Sequence, residues 1–226
     1  MDNKDNSIQA VVFDLGNVIA RVDFERPFAG MGCFLNAPLN PVSQKELMAK
    51  VAEYERGEVK DHDFLVFMQE LAQRENPLLP AGMPALETLR DIWNSMIADL
   101  PLENLQCIRQ VKGNYTTCLL SNTNELHIAY VNRLQPGFEG GFESLFDKIY
   151  LSCRMGLSKP DPEIYRAMVR DLGIPAQRCL FIDDRTENIE NARAQGLKGI
   201  LLSGFDLPRL FTPEGALSEY SRKIMA

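Results

Sequence analysis

Five short apolar runs restrict the fold of this 226-residue chain more than anything else: Ala10–Phe13, Thr116–Leu120, Lys148–Leu151, Cys179–Ile182 and Gly199–Leu202. Each has the length of a strand rather than a helix and largely lacks polar alternation, as expected of strands buried on both faces. Helical stretches lie between the later runs. These are Glu125–Leu134, Pro162–Leu172 with Asp161 as cap and Pro162 in its first turn, and Glu187–Gln195 with Thr186 as cap and Gly196 as terminator. Strand alternating with helix predicts a doubly wound, Rossmann-like parallel α/β sheet, with a site at the carboxyl ends of its strands.

From about residue 24 to residue 100 this rhythm gives way to helical patterning. Ser43-Gln44-Lys45-Glu46 reads as a capping box, Asp61 precedes an apolar-periodic run to Leu71, and a further run extends from Pro84 to Ile97. Asn76-Pro77, Pro80, Gly82 and Pro84 mark a loop within this stretch, and Asp99-Leu100-Pro101 marks the return. The expected organisation is an α/β core of residues 1–23 and 101–226 with an inserted α-helical domain of residues 24–100.

A net charge of −7 without any basic run argues against a nucleic-acid partner. No apolar run reaches membrane-spanning length, and residues 1–10 lack the cationic start and apolar stretch of a secretion signal, so a cytoplasmic protein with no membrane partner is expected. Cys33, Cys107, Cys118, Cys153 and Cys179 are odd in number and widely spaced, which reads as reduced, buried thiols. Cys179 and Arg185 have the spacing of a cysteine-dependent phosphatase loop, but the residues between them include Asp183 and Asp184 and no glycine. Such a loop would repel an anion.

Chemistry-bearing residues gather in four polar islands at element edges: Asp14 before the Gly16 turn, Ser121-Asn122, Lys159-Pro160 and Asp183-Asp184. Together they supply a carboxylate, a hydroxyl, a cation and an acidic pair, the parts needed for phosphoryl transfer. A phosphate ester repels nucleophiles by its own charge, so a carboxylate nucleophile needs cations to screen its approach. Asp14 is the candidate nucleophile. Asp14 and Asp184 offer the hard oxygen ligands that Mg2+ prefers.

In that order, the four islands resemble the haloacid dehalogenase superfamily of hydrolases, and the resemblance covers the whole chain. It implies a helical cap domain at residues 24–100 and a Mg2+-dependent phosphatase with Asp14, Ser121 and Lys159 in catalysis. It further implies metal ligation by Asp14, Asp184 and the carbonyl of Gly16, with Asp183 beside the ligands and Asn188 holding a metal-bound water. The segments Phe13-Asp14-Leu15-Gly16-Asn17-Val18, Leu120-Ser121-Asn122-Thr123-Asn124 and Phe181-Ile182-Asp183-Asp184 look like a narrower bacterial subgroup. That subgroup is related to α-D-glucose-1-phosphate phosphatases and to the amino-terminal phosphatase domain of epoxide hydrolases. Tyr54-Glu55-Arg56-Gly57-Glu58 matches its cap pattern. A sugar phosphate is the implied substrate, with Asn122, Arg56 and His127 as candidate substrate contacts.

Gly16 departs from the pattern, because most phosphatases of the superfamily place a second aspartate there as general acid and base. Such help is typically worth ~10²–10⁴-fold. Asp23 is one candidate for a relocated acid and His127 another. The expected function is a phosphatase that hydrolyses a small phosphorylated metabolite through an aspartyl-phosphate. A metal-independent haloacid dehalogenase is the first alternative, and Asp183-Asp184 argues against it, since carboxylates crowded near Asp14 without a cation repel one another. A non-catalytic phosphate-binding module, suggested by Gly16, is the second. The sequence gives no reading of the oligomeric state.

Overall fold

In the computed structural model, which describes residues 8–35, 38–77, 84–135 and 138–225, the sheet is built outward from one wholly buried strand. That strand is β1 (Ala10–Phe13), and none of its four side chains reaches solvent. Two short strands, β2 (Arg21–Val22) and β3 (Ile97–Asp99), pair antiparallel apart from it. The remaining strands are β4 (Thr116–Ser121), β5 (Lys148–Leu151), β6 (Cys179–Asp183) and β7 (Lys198–Leu201). With β1 they form a parallel sheet in the order β5-β4-β1-β6-β7.

Helices α1 (Glu25–Leu35), α2 (Pro41–Glu55), α3 (Asp61–Glu75) and α4 (Leu86–Asn94) lie between β2 and β3. The core contributes α5 (Leu102–Lys112), α6 (Glu125–Leu134), α7 (Ser152–Met155), α8 (Pro162–Leu172), α9 (Thr186–Ala194) and α10 (Glu219–Met225). No described helix is long and apolar enough to cross a membrane.

The two-residue period of a strand explains how both faces of the sheet are filled. Val11 and Phe13 point to one side with Leu119, Leu180 and Ile182, against Leu105, Ile108 and Val111 of α5. Ala10 and Val12 point to the other with Leu120 and Phe181, against Ile164, Tyr165 and Met168 of α8. The inserted helices have an apolar centre of their own, including Met31, Leu47, Val51, Tyr54, Phe64, Met68 and Trp93. Phe64 stacks on Tyr54 at 4.3 Å and meets Trp93 edge-on at 4.8 Å.

Local signals behave unevenly. Helix α8 starts as expected, with Asp161 accepting from the Glu163 amide at 2.8 Å, and ends at Gly173 in the left-handed region. Helix α2 does not start at the expected capping box. Asn40 caps it, accepting from the Val42 and Ser43 amides at 2.9 and 3.0 Å, and Pro41 sets the first helical φ. Ser43 sits inside the first turn and donates to Glu75. Thr186 is the first helical residue of α9 rather than its cap, which is Arg185. Helix α4 is shorter than the Pro84–Ile97 run, since Ile97 belongs to β3. The expected breaks at Pro80 and Gly82 lie outside the described residues. All five cysteines are free, but Cys33 is exposed, and Cys153 is only partly buried at the margin of the sheet's core.

Candidate active site

Parallel pairing brings Asp14, Ser121 and Asp183 together at the carboxyl ends of β1, β4 and β6. Lys159 arrives from the loop between α7 and α8, and its ammonium lies 2.7 Å from both Asp14 Oδ1 and Asp183 Oδ2. Its backbone is locked by Asn122, whose side chain donates to the Lys159 carbonyl and accepts from its amide, both at 2.8 Å. Asn122 thus positions the lysine. Burial opposes the lysine's charge, but Asp14 and Asp183 outweigh it and keep the group protonated, above its usual range. Ser121 Oγ is buried and, among the described residues, reaches only the Asn122 carbonyl, at 3.5 Å, so its hydrogen is available to a better-placed acceptor.

Asp14, Asp183 and Asp184 place carboxylate oxygens within 4.8 Å of one another. Burial raises the pKa of Asp14 to about 6, even with Lys159 pulling it down, and burial likewise raises that of Asp184. Asp183 is fully committed. It accepts from Lys159, from the Arg185 amide at 2.8 Å and from Asn188 Nδ2 at 2.9 and 3.0 Å. The other end of that amide, Asn188 Oδ1, is buried without a hydrogen-bond partner among the described residues. Three carboxylates facing one ammonium beside an unsatisfied carbonyl oxygen suit a divalent cation with hard-ligand preference.

The turn after β1 depends on Asn17, which adopts a left-handed φ of 53°. Its Nδ2 donates to Asp184 at 3.2 Å and its Oδ1 accepts from the Val22 amide at 3.1 Å. Asparagine tolerates this backbone and supplies both a donor and an acceptor. One side chain thus ties the turn, the acidic pair and the entry strand of the insertion. Gly16 faces the same cavity without a side chain, and a Cβ there would approach Val22 Cγ2 to 3.2 Å.

These groups line one cavity of about 260 Å³ between the sheet and the inserted helices. Its lining includes Asp14, Gly16, Ser121, Asn122, His127, Lys159, Asp184 and Asn188. Three expected contributors do not line it: Asp183, buried against Lys159, and Arg56 and Asp23. Arg56 ends α2 on the exposed side, paired with Glu58 at 2.6 Å. Asp23 accepts from the Glu25 amide at 3.0 Å and pairs with Arg26, serving the start of α1. Both Arg56 and Asp23 are partly exposed polar groups with local partners.

His127 lines the cavity, but both its ring nitrogens are engaged. Nδ1 accepts from Asn124 and Nε2 donates to the Trp93 carbonyl, both at 3.2 Å, and the ring stacks on Trp93. Burial lowers its pKa from 6.5 to about 4, so it is neutral at pH 7 and joins the insertion to the core. Between those two values the unfolded chain binds the extra proton. Stability is therefore full above pH 6.5 and is lost as pH falls toward 4, by about 2 kcal/mol between pH 7 and pH 5. His127→Gln is expected to remove that part of the pH dependence, measured as the native-minus-variant difference in urea unfolding free energy at the two pH values.

Glu55 was not singled out by its residue type, yet it lines the cavity. Leu47, Val51 and Tyr54 are buried along α2, and Glu55, four residues after Val51, continues that inward face. Helical periodicity would have favoured it over Arg56. Burial, followed by the charge of Asp14, pushes its pKa up to about 7, while Lys159 and Arg185 oppose the rise. The end of α2 is fixed by Gly57, at φ 74°, where a Cβ would collide with the Cys153 carbonyl of α7.

A family model described as haloacid dehalogenase-like hydrolase matches residues 8–196. The chain is 27% identical over 196 residues to D-ribitol-5-phosphate phosphatase of Bacteroides thetaiotaomicron, covering 84% of this chain and 90% of that protein. It is 23% identical to a sesquiterpene phosphatase of Aspergillus oryzae, over 87% of this chain and 91% of that protein. Two longer relatives are covered over only 34% and 37% of their length. A solved haloacid dehalogenase family enzyme of Bacteroides thetaiotaomicron, in complex with magnesium and inorganic phosphate, superposes with a TM-score of 0.78. It is 27% identical, and the match covers 91% of this chain and all of that one.

Proposed function

This chain belongs to the haloacid dehalogenase-like hydrolases, and from that premise we propose a Mg2+-dependent phosphatase that hydrolyses a small phosphorylated metabolite through an aspartyl-phosphate on Asp14. The observation that carries the reading is the Lys159 ammonium, 2.7 Å from both Asp14 and Asp183 with Asp184 beside them. A cytoplasmic setting belongs to the same reading.

Asp14, Asp184 and the Gly16 carbonyl would hold Mg2+, with Asn188 Oδ1 near it. Bound there, the cation would offset the charge that opposes attack on the phosphoryl group. Asp14 attacks phosphorus. Lys159 and the Ser121 hydroxyl donate to the phosphoryl oxygens, while Asn122 and Asp183 fix the lysine for that task. A metal-independent dehalogenase has no use for three carboxylates around one ammonium.

The sugar-phosphate form of the substrate is supported by the ribitol-phosphate relative. A second reading rests on the inserted side of the cavity, where Val22, Phe28, Leu47, Val51, Trp93 and Met96 form an apolar wall. Such a wall favours an aromatic or isoprenoid alcohol, each buried methylene adding ~0.8 kcal/mol, and the sesquiterpene phosphatase relative points the same way. Both forms are tested by phosphate release from ribitol 5-phosphate, sugar 1-phosphates, aryl phosphates and isoprenyl phosphates, with Mg2+ and with chelator. Release with Mg2+ and its loss in chelator are expected. Full activity in chelator, or none on any ester, overturns the phosphatase reading, and the ranking of kcat/KM decides between sugar and apolar alcohol.

A further inference from the structure

The geometry points to Glu55 as the general acid and base of this site, carried by the inserted helices in place of the side chain that Gly16 lacks. This assignment rests on the phosphatase reading above. Three carboxyl groups line the cavity: Asp14, Glu55 and Asp184. Asp14 is the nucleophile, and Asp184 is held by Asn17 at the metal-binding edge. Glu55 is the carboxyl without an assigned task. None of the described residues gives it a hydrogen bond or an ion pair, and its charged neighbours are Asp14, Lys159 and Arg185.

The other proton-transfer candidates are occupied. His127 has both nitrogens engaged, and Asp23 stands outside the cavity. Glu55 is also well placed. It is the last residue of α2, two positions before the Gly57 contact with Cys153, so its backbone is fixed to the core that carries Asp14. Partial burial leaves a large fraction of the carboxyl protonated near neutral pH, as a group that must both give and take a proton requires.

In the first half-reaction an Asp14 oxygen bonds to phosphorus as the ester P–O bond breaks. The Glu55 proton passes to the departing oxygen, which leaves as a neutral alcohol. In the second half-reaction the Glu55 carboxylate takes a proton from water as the water oxygen bonds to phosphorus. The bond from Asp14 to phosphorus breaks, inorganic phosphate is released, and Glu55 is protonated again.

Rapid-mixing kinetics of Glu55→Gln and the native protein with Mg2+, on 4-nitrophenyl phosphate and on phenyl phosphate, test this role. Nitrophenolate leaves without a proton, so its first-turnover rate in the variant is expected to fall less than about tenfold, whereas phenol release falls ~10²–10⁴-fold. The variant should also release one nitrophenolate per protein in a burst, followed by a slow steady state, because its second half-reaction lacks a base. That burst shows the variant is folded. Equal losses on both esters, or no loss on phenyl phosphate, overturn the role of Glu55 and leave the phosphatase reading standing. A native protein that cleaves neither these esters nor any other ester of the panel above overturns the phosphatase reading and the assignment with it.

Discussion

Asp14→Asn is expected to abolish turnover and to leave the protein folded. An amide nitrogen or oxygen cannot replace a carboxylate in attack on phosphorus, and loss of a covalent nucleophile slows enzymes by roughly 10⁴-fold or more. Stability behaves differently. Asp14 is buried at a cost visible in its raised pKa, and Lys159 retains Asp183 at 2.7 Å after the substitution. The melting temperature of the variant is therefore expected to equal or exceed that of the native protein, with phosphate release from aryl phosphate at the background rate. Substantial residual turnover would remove Asp14 from the chemistry.

Lys159→Met is expected to damage both properties. The lysine ammonium is the single side-chain cation in contact with Asp14 and Asp183 among the described residues, and all three groups are buried. Removing it leaves two carboxylates facing each other out of water, a change that costs about 3–5 kcal/mol when one partner of a buried pair is deleted. On the proposed phosphatase reading it would also remove a donor to the transferring phosphoryl group. Urea unfolding at pH 7 should show the loss in full, and protonation of Asp14, whose pKa burial raises to about 6, should lessen it at pH 5. Unchanged stability would mean that water reaches the two carboxylates and the lysine is not their counter-charge.

The contrast between these variants reflects what a sequence can reveal. Asp14, Ser121 and the Asp183-Asp184 pair were legible because each stands at a strand end, and parallel pairing brings such ends together, whereas Lys159 comes from the loop between α7 and α8. The strands of the sheet were legible for a related reason: burial on both faces leaves an unbroken apolar run. Strands β2 and β3 were not, since two or three residues are too few to show a period. Arg56, Asp23 and His127 were attractive by chemical type, yet their surroundings commit them to Glu58, to the start of α1 and to Trp93. Glu55 depended on how α2 docks on the core, which no local pattern encodes. Even the start of α2 was decided by competition, Asn40 and Pro41 against Ser43.

The imbalance of three carboxylates against one ammonium has a thermodynamic consequence. With all of them ionised, this cluster carries two surplus negative charges, only partly offset by Arg185 at the cavity wall, so a phosphate dianion meets repulsion there until a divalent ion has cancelled them. Cation and anion must therefore bind cooperatively, and linkage makes the enhancement reciprocal: whatever factor Mg2+ adds to phosphate affinity, phosphate returns to Mg2+.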